Sequence, residues 1–305
     1  MCARAMPGAL PGGTCALATR MKVLIFGKSG QVAHELKRAD ATVTCFGRDD
    51  ADFTNPLACL AALKRAAPDV VINAAAYTAV DRAEEEEPLA MRINAETPGI
   101  LAAECAAMGV PFVHISTDYV FDGSGDTARA PSAPTRPLSA YGRSKLMGEE
   151  GIRAAGGCHA ILRTSWVFSA HGNNFVKTML RLGAERDRLS IVADQVGGPT
   201  PAADIARACL TIAAQLCDDP DTSGTYHFAG APDVSWAGFA RAIFAQSGLT
   251  PQVTDIATSD YPTPAARPLN SRLDCDSLRA AFGIDQPNWQ QGLARVLSEL
   301  KGGPS

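Results

Sequence analysis

Residues 22–33 read KVLIFGKSGQVA, and this stretch decides the fold class. Lys22–Phe26 is a short apolar run that predicts a buried strand. The pattern Gly27-x-x-Gly30-x-x-Ala33 joins it directly to a predicted helix. Glycines there allow a tight turn and a close backbone approach to a pyrophosphate, and the helix N-terminus offers free N–H groups. The stretch predicts a dinucleotide-phosphate loop, with an ordinary tight turn between strand and helix as the alternative.

The same rhythm of short apolar strands and helices continues to residue 165. Strands are predicted at 42–46, 70–73, 111–115 and 160–163, and helices at 30–38, 56–67, 84–108 and 138–155. This alternation indicates βαβ units, hence an α/β protein with a doubly wound parallel sheet of the Rossmann type. Cofactor and substrate are then expected at the carboxyl ends of the strands.

The second half is less regular and sets the predicted domain division. We expect a dinucleotide-binding domain at 21–165 and a smaller, interleaved and mainly substrate-binding domain at 166–305, with one strand near 225–229 returning to the main sheet. Residues 255–268 are proline-rich and predict a loop. Residues 1–20 predict a disordered extension or a misassigned start ahead of Met21.

Composition narrows the classes of function. The chain has 305 residues, 46% of them hydrophobic, which suits a globular core, and its formal net charge of -4 offers no basic field for nucleic acid. No apolar run reaches the roughly 18 residues of a membrane span. The nine cysteines are scattered without a CxxC pair, which favours free thiols and a cytoplasmic location.

The sharpest chemical signal is Tyr141-Gly-Arg-Ser-Lys145 on a predicted helix. Positions i and i+4 share one helix face, so the Lys145 ammonium is expected beside the Tyr141 hydroxyl. A nearby cation lowers the pKa of a phenol from about 10, which suits Tyr141 for general acid catalysis. Thr117 follows a predicted strand and is expected to hydrogen-bond a substrate carbonyl, although a hydroxyl that caps the next turn is the alternative.

Three further positions predict how the cofactor is held. Arg48 follows the second strand, where an arginine accommodates a 2′-phosphate, so NADPH is favoured and NADH stays open. Asp52 and Phe53 offer a carboxylate and a ring to an adenine. Small residues at 74–76 let a nucleotide lie close to the end of a strand.

Taken together, the motifs resemble a known family. FGKSGQVA (26–33), NAAAYTAVDRAE (73–84), ISTDYVFDG (115–123), LRTSWVF (162–168) and YPTPAARPLNSRLD (261–274) are similar to stretches of the extended short-chain dehydrogenase/reductase superfamily and, within it, of the dTDP-4-dehydrorhamnose reductase family. The resemblance runs from Lys22 to about Leu300.

The resemblance implies a reaction and its residues. NADPH or NADH would deliver hydride to C4 of dTDP-4-dehydro-β-L-rhamnose, and the product would be dTDP-L-rhamnose. Tyr141 would protonate the oxygen, Lys145 would bind the nicotinamide ribose and tune Tyr141, and Thr117 would orient the ketone. Substrate contacts would come from Thr117, Asp118, Trp166 and, at the diphosphate, Arg267. The predicted cofactor-binding residues are Gly27, Gly30, Gln31, Val32, Arg48, Asp52, Phe53, Ala75, Ala76, Thr78, Tyr141 and Lys145.

A metal site is left open by the same resemblance. Some members of the family are Mg²⁺-linked dimers held through glutamates, which implies a homodimer and points to Glu35 and Glu299. Ala203 stands where a carboxylate is expected, and its neighbour Asp204 is a poor substitute. No metal site is therefore assigned.

Two other functions are compatible with the scaffold. A nucleotide-sugar epimerase or 4,6-dehydratase would use the same Tyr141 and Lys145, because the hydride chemistry is shared. A non-catalytic regulatory subunit of methionine adenosyltransferase would keep the dinucleotide loop. Trp166 and the 261–274 stretch favour the reductase over both.

Overall fold

The computed structural model describes residues 21–302, so the expectations for residues 1–20 lie outside the described residues. The strands are β1 Val23–Phe26, β2 Thr44–Phe46, β3 Val70–Asn73, β4 Phe112–Thr117, β5 His159–Thr164, β6 Val167–Phe168, β7 Arg188–Val192, β8 Val196–Gly197, β9 Thr200–Pro201, β10 Gly224–His227, β11 Val234–Ser235, β12 Gln252–Ile256 and β13 Asn270–Ser271. The α-helices are α1 Gln31–Ala39, α2 Pro56–Ala66, α3 Glu87–Met91, α4 Thr97–Met108, α5 Ala140–Ala154, α6 Phe175–Glu185, α7 Ala202–Asp218, α8 Trp236–Ser247, α9 Asp276–Phe282 and α10 Trp289–Gly302.

Six parallel strands form the main sheet in the order β10-β5-β4-β3-β1-β2, which confirms the predicted fold class. The chain runs from β1 to β2 in one direction and from β3 to β5 in the other. The reversal leaves a crevice between the carboxyl ends of β1 and β3, where ligands bind in such sheets. Gly27 follows β1 and Ala74 follows β3, so both border that crevice.

Both faces of this sheet are covered, which explains why its central strands are apolar throughout. On one face, α1, α7 and α9 contribute Leu36, Ile205 and Leu278 to a buried cluster with the strands. On the other face, α2 and α4 contribute Leu63 and Leu101 to a second cluster. The sheet is therefore a rigid three-layer frame for the groups at its edge.

The helix expected over 84–108 is broken into shorter pieces. Helix α3 begins at Glu87 with Pro88 in its first turn, a wider π-turn spans Arg92–Glu96, and α4 continues from Thr97. Proline lacks an N–H and is tolerated only in a first turn. The sequence predicts a helical stretch with a start at Pro88 and a bend at Pro98. Pro88 does lie in the first turn of α3, and the π-turn lies just before Pro98.

The second half adds small sheets and a separate apolar cluster. Strands β7 and β12 pair in parallel, and α6, α8 and α10 pack with them around Phe239 and Trp289. Strand β12 covers Gln252–Ile256, so the start of the predicted 255–268 loop is extended strand instead. Among residues 21–302, no helix is both long and apolar enough to cross a membrane.

Candidate active site

A cavity of about 460 Å³ lies at the crevice between β1 and β3. It brings together eight of the predicted cofactor-binding residues: Gly27, Gly30, Arg48, Asp52, Phe53, Ala75, Ala76 and Thr78. These residues come from the loops after three neighbouring strands, as the parallel topology requires. The cavity therefore has the position and lining that a dinucleotide needs.

Glycine is required at one position of this loop and leaves space at another. Gly27 has a φ of 116°, and a Cβ there would meet the backbone of Ala74 at 3.2 Å. At Gly30, a Cβ would meet nothing within 4 Å, although this residue lines the cavity. A side chain at Gly30 would thus occupy space where a pyrophosphate could approach the start of α1. The loop fits a dinucleotide on this observation.

Two predicted cofactor residues direct their side chains elsewhere. The Gln31 side chain accepts hydrogen bonds from Ser169 at 3.0 Å and Asn174 at 2.9 Å. Val32 is buried in the core under the sheet. Both residues lie in the first turn of α1, and their assignment to the dinucleotide stays a prediction.

The second-strand loop presents a free cation. Arg48 is exposed, lines the cavity and forms no ion pair with any residue between 21 and 302. Asp52 accepts from the Thr54 N–H at 2.9 Å, which orients its carboxylate. Phe53 packs edge-on against Phe26, with ring centroids 5.5 Å apart.

The first turn of α5 positions Tyr141. The Ser139 hydroxyl caps this helix by accepting from the Gly142 N–H at 3.2 Å. A Cβ at Gly142 would lie 2.3 Å from the Tyr119 carbonyl oxygen, so only glycine lets α5 approach the end of β4 this closely. Tyr119 packs edge-on against Tyr141 with ring centroids 5.5 Å apart. The close approach sets Tyr141 beside the strand end that carries Thr117.

Thr117 and Asp118 form the polar centre of the site. The Thr117 hydroxyl donates to Asp118 Oδ1 at 3.1 Å, accepts from the Tyr119 N–H at 3.2 Å, and lies close enough to Tyr141 to lower the pKa of its phenol. Burial raises the pKa of Asp118 to about 6, and the Ser271 and Thr117 hydroxyls oppose that rise. Asp118 Oδ2 is buried, and no donor of the described chain reaches it in hydrogen-bonding geometry. A buried acceptor of this kind is costly unless a ligand satisfies it, so it marks a place for a donor such as a sugar hydroxyl.

Lys145 is held away from the expected partner. Its Nζ lies 2.7 Å from the Ile115 carbonyl oxygen and 3.0 Å from His114 Nε2. Burial raises the pKa of Tyr141 to about 12, and the hydrogen bond with Thr117 opposes that rise. The β4 contacts hold the Lys145 amine, so the expected lowering of the Tyr141 pKa by Lys145 stays a prediction.

Trp166 is stacked on another tryptophan. Its φ of 48° is unusual for a bulky residue, and its ring lies parallel to that of Trp236 with centroids 3.6 Å apart. Trp236 is fixed by donating from Nε1 to Gln195 at 3.1 Å. One face of Trp166 is thus already covered, and sequence analysis had missed Trp236.

Arg267 is anchored by an acidic residue. Its guanidinium binds both carboxylate oxygens of Asp81, at 3.1 and 2.8 Å. This pair ties the proline-rich loop to the segment that follows β3. Arg267 also lines a second cavity, so its assignment to the substrate diphosphate stays a prediction.

This second cavity has a volume of about 740 Å³, and Tyr119 is one of the residues that line it. Aromatic and basic side chains line it, with Trp236 and Phe175 on one side and Arg186 and Arg188 nearby. Flat rings with positive charges close by suit a base joined to a diphosphate.

The residues considered for a metal form an ion-pair cluster. Ligand atoms of Glu35, His171 and Glu299 lie within 4.8 Å of one another. Arg38 occupies the same place, with its NH1 2.9 Å from Glu299 and 3.3 Å from Glu35. Mg²⁺ needs near-octahedral oxygen ligands, whereas these carboxylates are already balanced by a guanidinium.

The surroundings also disfavour a divalent cation. Ala203 supplies no ligand, and Asp204 is bound by Arg207 and Arg295. Arg207 and Arg295 line one cavity with Glu35. The residues present do not fit Mg²⁺, so no step of the chemistry is assigned to a metal.

Comparison with known proteins places the whole described chain in one group. Residues 21–301 match the model of the RmlD substrate binding domain. A dTDP-4-dehydrorhamnose reductase of Sinorhizobium fredii is 44% identical over 289 residues, which cover 92% of this chain and 98% of that protein.

Solved structures agree in fold. The crystal structure of a dTDP-4-dehydrorhamnose reductase from Clostridium acetobutylicum is 39% identical, has a TM-score of 0.85, and covers 92% of this chain and all of that one. The enzyme of the same name from Bacillus anthracis, solved in complex with NADP, is 35% identical with a TM-score of 0.85. Its match covers 92% of this chain and 99% of that one.

Proposed function

The chain belongs to the dTDP-4-dehydrorhamnose reductase family, and from this we propose how its own residues perform the reaction. The protein reduces the C4 ketone of dTDP-4-dehydro-β-L-rhamnose to dTDP-L-rhamnose, the last step in the synthesis of that nucleotide sugar, with NADPH. The observation that carries the assignment of roles is the contact between Tyr141 and Thr117, beside the unsatisfied carboxylate oxygen of Asp118.

Reduction of a ketone consumes one hydride and one proton. The bound NADPH supplies the hydride, which reaches C4. Tyr141 holds the proton, because its raised pKa keeps the phenol protonated at neutral pH. We assign Tyr141 as the general acid that donates to the developing C4 oxygen. Thr117 donates a hydrogen bond to the same oxygen and aligns it with the phenol.

Asp118 selects the sugar in this proposal. Its free Oδ2 accepts from a hydroxyl of the hexose ring, which fixes the ring against the Thr117–Tyr141 pair. Trp166 closes the sugar site from the side of the second domain. The 740 Å³ cavity that Tyr119 helps to line then receives the nucleotide, with the thymine against Trp236 and the diphosphate near Arg188.

The cofactor is held by backbone and by few side chains. The 460 Å³ cavity takes the adenosine half, with the pyrophosphate at Gly30 and the start of α1. Arg48 binds the 2′-phosphate and so favours NADPH over NADH. Lys145 binds the nicotinamide ribose.

Replacing Tyr141 by phenylalanine tests these roles. We expect Tyr141→Phe to lower kcat about a thousandfold, because general acid catalysis contributes about 10²–10⁴ in rate. NADPH should still bind, because the other predicted cofactor-binding residues are kept. The measurement is loss of nicotinamide absorbance with dTDP-4-dehydro-β-L-rhamnose, with NADPH binding followed by fluorescence.

Tyr119→Phe is the matched control, since Tyr119 packs on Tyr141 but is given no proton to transfer. It should keep most of the activity. Equal losses in both variants would contradict the role of Tyr141 as the acid. Wild-type protein that binds NADPH but leaves this sugar unreduced would contradict the substrate assignment.

Three broader proposals accompany the reaction. We propose a cytoplasmic location, where NADPH and nucleotide sugars are available, and a homodimer, as the family resemblance implies. Light scattering of the purified protein measures the second. We also propose that residues 21–165 serve mainly the cofactor and residues 166–305 mainly the substrate.

A further inference from the structure

Three buried polar side chains form a chain behind the catalytic face. Asn73 ends β3, His114 lies opposite it on β4, and Lys145 reaches them from α5. Each is at most 2% exposed. Water cannot satisfy these groups, so their hydrogen bonds must be completed among themselves and the nearby backbone.

The amide of Asn73 has a fixed orientation. Its Oδ1 accepts from the Ala75 N–H at 3.1 Å. Its Nδ2 therefore faces His114 Nδ1, at 3.0 Å. An amide nitrogen only donates, so His114 Nδ1 must be the acceptor.

His114 is uncharged, so its ring carries one proton, and its hydrogen bonds decide which nitrogen holds that proton. Burial lowers the pKa of His114 well below its usual range. A neutral imidazole with an acceptor at Nδ1 carries its proton on Nε2. That N–H points at Lys145 Nζ, 3.0 Å away.

An ammonium has three donors and no lone pair. The Nε2–H of His114 can bond to Lys145 Nζ only if Nζ is an uncharged amine. The Ile115 carbonyl, at 2.7 Å, accepts one of the remaining amine protons. We propose that Asn73 and His114 are positioning residues for Lys145: Asn73 fixes the proton of His114 on Nε2, and that N–H donates to Lys145 whenever the amine is uncharged.

Other charges around Lys145 are few. Tyr141 and Glu149 share its helix, and Glu149 is bound by Arg163 from β5 and by Arg153. Burial lowers the pKa of Lys145 to about 8, and Glu149 opposes this. If Lys145 is charged and keeps its contact with His114, the His114 proton must move to Nδ1. The Asn73 amide must then rotate to accept from Nδ1, and it releases the Ala75 N–H. The chain therefore sets the pH at which Lys145 becomes charged.

The first test uses the wild-type protein without cofactor. Nitrogen-15 NMR of the histidine rings distinguishes a proton on Nε2 from one on Nδ1, and His114→Leu identifies the His114 signals. We expect the Nε2-protonated form above about pH 9, where Lys145 has lost its proton. A proton on Nδ1 would overturn the proposal, and this result needs no other variant to fold.

The second test reverses the direction of the hydrogen bonds that join residue 73, His114 and Lys145. In Asn73→Asp the carboxylate can only accept, so it draws the His114 proton to Nδ1 and leaves Nε2 to accept from a charged Lys145. We expect the Lys145 titration midpoint, read from its 15N signal, to rise by about one pH unit, as an added opposite charge would allow. The Lys145 signal is identified with Lys145→Met.

The double variant Asn73→Asp/His114→Leu is the control, because a rise carried by His114 should largely vanish when compared with His114→Leu alone. An equal rise without His114, or no rise in Asn73→Asp, would overturn the proposal. The proposal rests on the proposed function only for the importance of Lys145. Failure of the wild-type protein to reduce the sugar would contradict that function and leave these NMR results standing.

Discussion

The cavities proposed for cofactor and substrate are built in different ways. The cofactor cavity is lined by residues between 27 and 93, about half of them glycine or alanine. The substrate cavity draws on residues from 119 to 267, mostly long or aromatic side chains. A site made of backbone depends on local turn geometry, whereas a site made of side chains depends on how distant segments pack. The backbone-lined cavity should therefore tolerate few substitutions, whereas the side-chain-lined cavity should accept substitutions that alter its shape.

Gly27→Ala would break the cofactor side most severely. The left-handed φ and the contact with Ala74 make a Cβ there strained, so we expect a loss of about 3 kcal/mol in the free energy of unfolding. Urea unfolding measures it. The matched control is Gly30→Ala, whose Cβ meets no protein atom. It should weaken NADPH binding with stability unchanged, and equal stability losses would contradict this reading of the loop.

On the substrate side, Asp118→Asn tests whether the charge of a buried side chain lowers the stability of the protein. The pKa of Asp118 in the folded protein, about 6, lies above its usual value of about 3.9. The folded state therefore holds more protons between these values, and stability falls as the pH rises from about 4 to about 6. The ionised carboxylate costs about 3 kcal/mol above that range.

We therefore expect Asp118→Asn to be more stable than wild type at pH 8 by about 3 kcal/mol, with no difference near pH 4. The same variant should lose activity with the sugar, since its amide cannot replace the charged acceptor. Chemical unfolding at the two pH values is the measurement. If wild type and Asp118→Asn were equally stable at pH 8, the ionised carboxylate of Asp118 would not lower the free energy of unfolding.

Arg48→Ala should have the smallest effect of the three. Losing one guanidinium from the 2′-phosphate should raise KM for NADPH about tenfold, as a hydrogen bond to a charged group is worth about 1.5 kcal/mol. KM for NADH and kcat should not change. Arg65→Ala, at an exposed arginine outside the cavity, controls for net charge. A rise for both cofactors would instead indicate a role in the shared part of the dinucleotide.

The sequence could predict the parts of these sites that depend on local patterns, but not the parts that depend on how distant segments pack. Gly27, Gly30 and the Tyr141–Lys145 spacing are local patterns, and the structure places them at the sheet edge as the alternation of strands and helices requires. Trp236 and Asp81 had no local signal, because their partners Trp166 and Arg267 lie 70 or more residues away. Gln31 and Val32 show the limit of the motif, since their side chains are used for packing.

His114 carried a weak signal that sequence analysis did not use. A histidine in an otherwise apolar strand, one strand from Asn73, predicts a buried polar pair when strands are parallel and in register. Its link to Lys145 depends on the depth at which α5 packs, which no pattern in the sequence gives. The π-turn at Arg92–Glu96 likewise depends on packing against α5.

Strand β10 comes late in the chain, so its neighbour β5 is unpaired on one side during part of synthesis. On the ribosome, β5 emerges about sixty residues before its neighbour β10, and at about 5–20 residues per second this interval lasts roughly 3–12 seconds. Until then β5 is an open sheet edge, which neighbouring nascent chains can join. Aggregation during translation should therefore concentrate in this interval, and a messenger with slow codons ahead of Gly224 should lengthen it.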